Sequence, residues 1–312
     1  MRTILVTGGA GFIGSALVKR LLKDTNNDIV VVDNLLTGHI GKLPKAQDRL
    51  RFIKCDVNNR QGIGEIMTTY RFDYVFHYAA MVGVTRTLTH PIDVLNDIQG
   101  IKNILELSKN TGVKRVFFSS SSEVYGEPVE FPQNEETTPL NSRLPYAIVK
   151  NVGEAFVKSF QQEFGLDYTI FRFFNTYGPY QSKDFVISKF LLAAQQNEDI
   201  TIYGNGTQTR TFCYIDDNIE ATTKIAYDDA FINDVVNIGN SIEIPISDLA
   251  QKVIEITNSK SRIVYLDPLK EGDMKRRRPD NSKMLSVLNK DLIKIEDGLK
   301  RIYDEGLFEQ TH

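Results

Sequence analysis

Residues 2–24 read RTILVTGGAGFIGSALVKRLLKD, and the reading of this stretch decides the fold. A β-branched, apolar run passes directly into three glycines, Gly8, Gly11 and Gly14, and then into apolar residues spaced as on one face of a helix. A strand that becomes a helix through residues without a Cβ implies a tight turn. Pyrophosphate can then approach the backbone N–H groups at the helix N-terminus. Three glycines alone would also suit a plain turn. The next strand supports binding, because Asp33 ends the run DIVVVDN nineteen residues after Gly14. A carboxylate there can accept hydrogen bonds from an adenosine ribose. Asn34 follows, not arginine, and a carboxylate repels a 2′-phosphate, so the expected cofactor is NAD rather than NADP. For Asp33 the plainer alternative is a strand-end turn residue. Asp56, after the third strand, reads either as a contact to the adenine edge or as an ordinary loop aspartate.

Outward from this stretch, strand and helix patterns take turns. RFIKCDV, FDYVFHYAA, RVFFSS and LDYTIFRFFN are expected strands, DVLNDIQGIKNILELSKNTG is an expected helix, and another runs from about Tyr146 to Phe164. Apolar runs without strict alternation indicate strands covered on both faces. The pattern predicts an α/β fold, a Rossmann-type doubly wound parallel sheet. After Asn175 the rhythm changes, and loops such as NTYGPYQSKD and YGNGTQTRTF separate shorter elements. The expected organisation is a cofactor-binding domain over residues 1–172 and a smaller C-terminal α/β substrate-binding domain over 173–312. The boundary is soft, with some later segments returning to the first domain.

The 312 residues are 41% hydrophobic and 25% charged, as in an ordinary soluble globular protein, with a formal net charge of -3. That charge offers no broad field for nucleic acid or an acidic membrane, so neither is an expected partner. No run reaches the ~18 uninterrupted apolar residues of a membrane span. The glycine-interrupted N-terminus is followed by no small-residue cleavage site and does not read as a signal peptide. Cys55 and Cys213 make neither a metal-ligand cluster nor a disulfide framework, so no metal site is expected and a reducing cytoplasm suits the chain.

The stretch YAIVK places Tyr146 and Lys150 four residues apart, on one face of the expected helix. A free phenol, with a pKa of ~10, is a poor base at neutral pH, and a neighbouring ammonium favours its phenolate. Tyr and Lys at this spacing also occur on many exposed helices. The serine run SSSSEVYG (119–126), about twenty-five residues upstream at the end of an expected strand, shifts the balance toward a site. Strand C-termini line the ligand crevice of a doubly wound sheet.

Taken in order, TGGAGFIG, DN at 33–34, AAMVGV, SSSSEVYGEP, YAIVK, FRFFNTYGP, YGNGTQTRTFCYIDD, NIGN and RRRPD cover nearly the whole chain. In these motifs the sequence resembles the extended short-chain dehydrogenase/reductases of the nucleotide-sugar epimerase, dehydratase and decarboxylase group. The resemblance implies a nucleotide-diphosphate sugar as substrate, with a UDP-sugar favoured. Ser121 would bond the sugar's O4, Tyr146 would take the proton from that hydroxyl, and Lys150 would hold the nicotinamide ribose. Phe12, Ile13, Val57 and Ala79 join the glycines, Asp33, Asn34 and Asp56 as implied cofactor contacts. Ser122, Asn175, Arg210 and Arg277 are implied substrate contacts, the arginines because their fork matches phosphate oxygens. A solvated basic loop is the plainer reading of KRRR at 275–278. Arg86, in the loop MVGVTRTLTHP, reads either as a group for a substrate carboxylate or as a surface residue. Asp97 stands where the group usually has asparagine.

Three reactions remain open, all beginning with oxidation at C4. A 4-epimerase needs no acid at C5. A 4,6-dehydratase of the common pattern has an aspartate where this chain has Ser122. A decarboxylase of UDP-glucuronate resembles the chain in its Ser-Glu pair, TQTRTFCYIDD and the ending RRRPD, but usually has arginine where Asn151 stands. Glu123 therefore matters most, and the expected reaction is decarboxylation, with 4-epimerisation second, dehydration third and a non-catalytic NAD-binding protein as the remaining alternative. Helices near 98–110 and 146–164 resemble the pair that forms a dimer interface in this group, so a homodimer is expected.

Overall fold

The computed structural model describes residues 1–45, 47–268 and 276–306. Its first half follows the alternation in the sequence. The order is β1 (Arg2–Thr7), α1 (Phe12–Leu21), β2 (Asn27–Asp33), β3 (Leu50–Lys54), α2 (Arg60–Tyr70) and β4 (Tyr74–His77). Next come α3 (Val84–Thr89), α4 (Pro91–Thr111), β5 (Arg115–Ser121), α5 (Pro145–Phe164) and β6 (Asp167–Phe173). The chain continues through β7 (Thr176–Tyr177), α6 (Val186–Gln195), β8 (Ile200–Tyr203), β9 (Thr209–Thr211), β10 (Cys213–Tyr214) and α7 (Ile215–Tyr227). It closes with β11 (Asp234–Ile238), β12 (Glu243–Pro245), α8 (Ile246–Thr257), β13 (Ile263–Leu266), α9 (Ser282–Leu288) and α10 (Ile295–Glu305).

A seven-stranded sheet runs in the order β11-β6-β5-β4-β1-β2-β3. Every pairing among β1 to β6 is parallel. Such strands carry helices on both faces, which is why β1, β2 and β5 are buried along most of their length. One core gathers Leu5, Val30 and Val75 from the sheet with Ile104 from α4 and Val157 from α5. Each fully buried aliphatic side chain contributes roughly 1.5–3 kcal/mol. The two long helices are bounded by their own sequence. Pro91 and Pro145 stand in the first turns of α4 and α5, where a missing N–H costs no hydrogen bond. Gly112 and Gly165 end them in the left-handed conformation, their N–H groups donating to Ser108 O and Gln161 O.

The chain divides into two compact units. The first comprises residues 1–126, 140–173 and 219–236, and the second 127–139, 174–218 and 237–312. Within the second, β9 pairs antiparallel with β12, β13 lies parallel to β8, and β10 lies parallel to β7. No helix among the described residues is long and apolar enough to cross a membrane.

Candidate active site

Because β1 to β5 are parallel, their C-terminal ends share one edge of the sheet. Strand order reverses there, with β1 flanked by β2 on one side and β4 on the other, and open α/β sheets bind ligands at such a switch point. The residues singled out in the first unit fall just beyond these ends: Gly8–Gly14 after β1, Asp33 and Asn34 at β2, Asp56 and Val57 after β3, Ala79 after β4 and Ser121–Glu123 at β5.

The glycine turn is as tight as its sequence implies. Gly8 has φ +67, and a Cβ on it would lie 2.7 Å from the backbone nitrogen of Ala79. A Cβ on Gly14 would collide with the carbonyl oxygen of Gly8. The Gly11 N–H donates to that same carbonyl at 3.0 Å. Gly11 is also the N-cap of α1, and no side chain caps the helix, so the amides of its first turn, at Phe12 and Ile13, meet no capping oxygen. Asp33 is buried. Its carboxylate accepts from the Ala10 N–H at 3.0 Å and the Leu35 N–H at 2.8 Å, which holds it beside the turn. Asn34 donates to Asp56 at 3.1 Å, and Asp56 also accepts from the Asn58 N–H at 2.8 Å. Both residues line a cleft of ≈ 560 Å³ with Ile53, Asn59 and Glu65. A turn that only glycine can make, an uncapped helix start and a carboxylate at the second strand fit the pyrophosphate and ribose of a dinucleotide.

At the end of β5 the chain enters a short 3-10 turn, Ser122–Tyr125, and the Ser121 hydroxyl caps it by accepting from the Glu123 N–H at 3.2 Å. The Tyr146 phenol hydrogen-bonds Ser121. Burial, reinforced by the negative charges of Glu123 and Asp97, pushes that phenol well above its ordinary value, and the Ser121 bond offsets part of the rise. Lys150, 3% exposed, donates to Ser119 O at 2.7 Å and lies 5.8 Å from the centre of the Tyr146 ring. Burial lowers its ammonium to about 8, and Asp97 acts in the opposite direction. Ser121, Glu123, Tyr146 and Lys150 are thus one cluster. Ser122 beside them is buried.

Arg86 is not part of that cluster. Its guanidinium donates to Leu36 O at 3.4 Å, in the loop that follows Asp33. Asn175, Arg210 and Arg277 belong to the second unit. Asn175 has φ +33 and donates to Thr211 O at 3.0 Å. Arg210 sits on β9 and donates to Thr209 O at 2.8 Å. In KRRR, Lys275 lies outside the described residues, and the three arginines alternate. Arg276 and Arg278 pair with Glu243, while Arg277 is only 5% exposed. A solvated basic loop does not bury its middle arginine.

Several working parts escaped the sequence reading. Ser119 and Ser120 had no separate role in the serine run, yet Ser119 receives Lys150. Ser120 donates to Glu154 at 2.6 Å. Glu154 in turn accepts from Arg172 at 2.9 and 2.7 Å, and Arg172 donates to the Tyr125 hydroxyl at 2.8 Å. This buried network ties the 3-10 turn to α5 and β6. One signal was present: Tyr146, Lys150 and Glu154 recur at i, i+4 and i+8, so all three face one way.

Residues 4–239 match the model of the NAD dependent epimerase/dehydratase family, and the chain belongs to that family. It is 33% identical over 305 residues to a putative UDP-glucose 4-epimerase of Methanocaldococcus jannaschii, covering 96% of each chain. It is 35% identical over 295 residues to a UDP-N-acetyl-alpha-D-glucosaminuronate decarboxylase of Bacillus cytotoxicus, covering 90% of this chain and 89% of the other. The solved UDP-glucose 4-epimerase of Thermotoga maritima with UDP-glucose superposes with a TM-score of 0.90 at 32% identity, covering 97% of this chain and 99% of that one.

Proposed function

We propose that the chain converts a UDP-sugar through a C4 ketone, and that removal of carbon dioxide from a UDP-uronate is the reaction it catalyses. The Gly8–Gly14 turn and the first amides of α1 would hold the pyrophosphate of NAD. Asp33 and Asn34 would hold the adenosine ribose, Asp56 and Val57 the adenine edge, and Ala79 and Lys150 the nicotinamide end. Bound there, NAD supplies a hydride acceptor and donor for C4 and a positive ring charge that favours the Tyr146 phenolate. Tyr146 then takes the C4 hydroxyl proton while Ser121 hydrogen-bonds the same oxygen. Asn175, Arg210 and Arg277 of the second unit are proposed to hold the nucleotide diphosphate, and Ser122 of the first unit to meet the sugar.

The observation that carries decarboxylation is the position of Glu123, held by the Ser121 cap in the turn that faces Tyr146. A carboxylate beside the phenol opposes its ionisation, so it works against the C4 step that every reaction of this group shares. A second proton-transfer position, at C5, accounts for it. With a ketone at C4, the C5–C6 bond breaks, its electron pair moves onto the C4 oxygen as an enolate, and carbon dioxide leaves. The enolate collapses as C5 regains a proton, which the Glu123 carboxylate would take up from solvent and pass to the carbon. The relative from Bacillus cytotoxicus, named for a uronate decarboxylase, supports this reading. A second reading, 4-epimerisation, is favoured by the likeness to the Thermotoga maritima enzyme, and it needs no group at C5.

Incubation with UDP-glucuronate, UDP-N-acetylglucosaminuronate, UDP-glucose, UDP-N-acetylglucosamine and dTDP-glucose, read by mass spectrometry and NMR, tests both. Loss of carbon dioxide from a uronate is expected. Unchanged mass with inverted C4 replaces the first reading by the second, loss of water points to dehydration, and no turnover at all sinks both. Glu123→Gln should slow formation of the decarboxylated UDP-sugar product while retaining C4 oxidation of the uronate, seen as NADH absorbance.

The reading includes a homodimer. Ile92 and Leu95 on α4 and Ile148 on α5 are exposed, at 75%, 40% and 38%, and would be covered by the same helices of a second copy. Sedimentation showing only monomer at micromolar concentration removes this claim. Both described cysteines are free thiols, which suits the proposed cytoplasmic location.

A further inference from the structure

We propose that Asp97 is a positioning residue that supplies the counter-charge of the buried Lys150 and thereby sets the pH range in which the Tyr146–Lys150 pair works. This rests on the acid–base roles given to that pair above.

Lys150 is an ammonium almost fully out of water, yet its hydrogen bonds go to one neutral residue, at 2.7 Å to Ser119 O and 3.4 Å to Ser119 Oγ. No carboxylate among the described residues forms an ion pair with it. A buried charge without an anion is strongly disfavoured, so its compensation comes from beyond contact. Asp97 is placed to give it. Asp97 lies on α4, which packs along α5, and its carboxylate is held by the Met81 N–H at 2.6 Å and by the Asn58 side chain. The loops after β3 and β4 therefore clamp the anion in place. Its field raises the proton affinity of both Lys150 and Tyr146.

The other charges facing this cluster are few. Asp56 faces Asp97 and Glu123 faces Tyr146. His77, at the end of β4, is held neutral, its imidazole lowered to about 3 by burial and then by the charge of Lys150. Glu154, on the same face of α5, is already paired with the buried Arg172, so among the described residues Lys150 is the cation here without a paired anion, and Asp97 is an anion whose field reaches both it and Tyr146. Asparagine at position 97 would keep an acceptor for Met81 and lose the charge.

The test is the kcat/KM–pH profile of Asp97→Asn. Removing one negative charge makes both Lys150 and Tyr146 give up protons more readily. Both limbs of the bell should therefore move to lower pH together, by at least about half a unit for a charge acting beyond contact at an effective dielectric near 20. Activity should hold or rise on the acid side and fall on the alkaline side. Asp97→Glu should keep the wild-type limbs, and Asp97→Ser serves as a second neutral variant if the asparagine folds poorly. The tyrosinate absorbance that disappears when Tyr146→Phe is added to each background should titrate at lower pH without the charge. A uniform loss of activity at every pH, with unmoved limbs, overturns the proposal and leaves Asp97 as a structural clamp. Tyr146→Phe retaining activity would instead overturn the reading beneath it.

Discussion

The network behind the active-site wall gives a prediction whose size can be worked from the structure. Glu154 and Arg172 each have side chains 2% exposed and are joined by two hydrogen bonds, at 2.9 and 2.7 Å. Glu154→Leu removes the carboxylate that takes two guanidinium N–H groups and leaves the positive charge in place. Breaking a buried pair at one end costs about 3–5 kcal/mol. The Ser120 hydroxyl loses its 2.6 Å acceptor in the same step, which adds about 1 kcal/mol. For units of this size the sum corresponds to a fall in Tm on the order of 10 °C. Glu154→Leu/Arg172→Met removes both charges, and since apolar replacements of buried pairs are often neutral, it should recover most of the loss. Thermal unfolding followed by circular dichroism at pH 7 reads both variants. A single variant that melts with the wild type, or a double variant no better than the single, would refute this account of the network.

Gly14→Ala places a methyl group against the Gly8 carbonyl and 2.8 Å from the Gly9 Cα. NAD affinity, measured by calorimetry, should fall at least about tenfold, since neither backbone can move without opening the turn. Lys150 gives a pH-dependent stability. Its folded value, about 8, lies below its ordinary 10.5, so between these values the unfolded chain holds more protons and folding gains stability as pH rises. From pH 7.5 to pH 10 the urea-unfolding free energy of the wild type should therefore rise by about 2–3 kcal/mol relative to Lys150→Met. A difference that stays flat across that window means the ammonium is not desolvated.

The sheet was legible because its signals are local. VTGGAGFIG compresses strand, turn and helix into nine residues, and the β-branched runs that follow are too apolar to be anything but strands covered on both sides. α2 was not legible. RQGIGEIMTTY has two glycines and adjacent threonines, poor helix formers that are overridden here by packing of Ile63, Ile66 and Met67. The cluster around Tyr146 was read from motif order. Its supports were not, because Asp97 to Met81 and Glu154 to Arg172 join residues brought near only by the packed sheet. Arg86 illustrates the converse. The sequence offers it a substrate carboxylate or the surface, and the structure adds only a hydrogen bond to Leu36 O.

The way the chain is divided has a consequence for engineering. It passes from one unit to the other at residues 126/127, 139/140, 173/174, 218/219 and 236/237. A gene cut near residue 173, where the rhythm of the sequence changes, would strand most of α7 and of β11 on the wrong fragment. It would also leave residues 127–139 behind. Chimaeras and split reporters built on this scaffold therefore have to exchange three interleaved segments at once, or fold as neither parent.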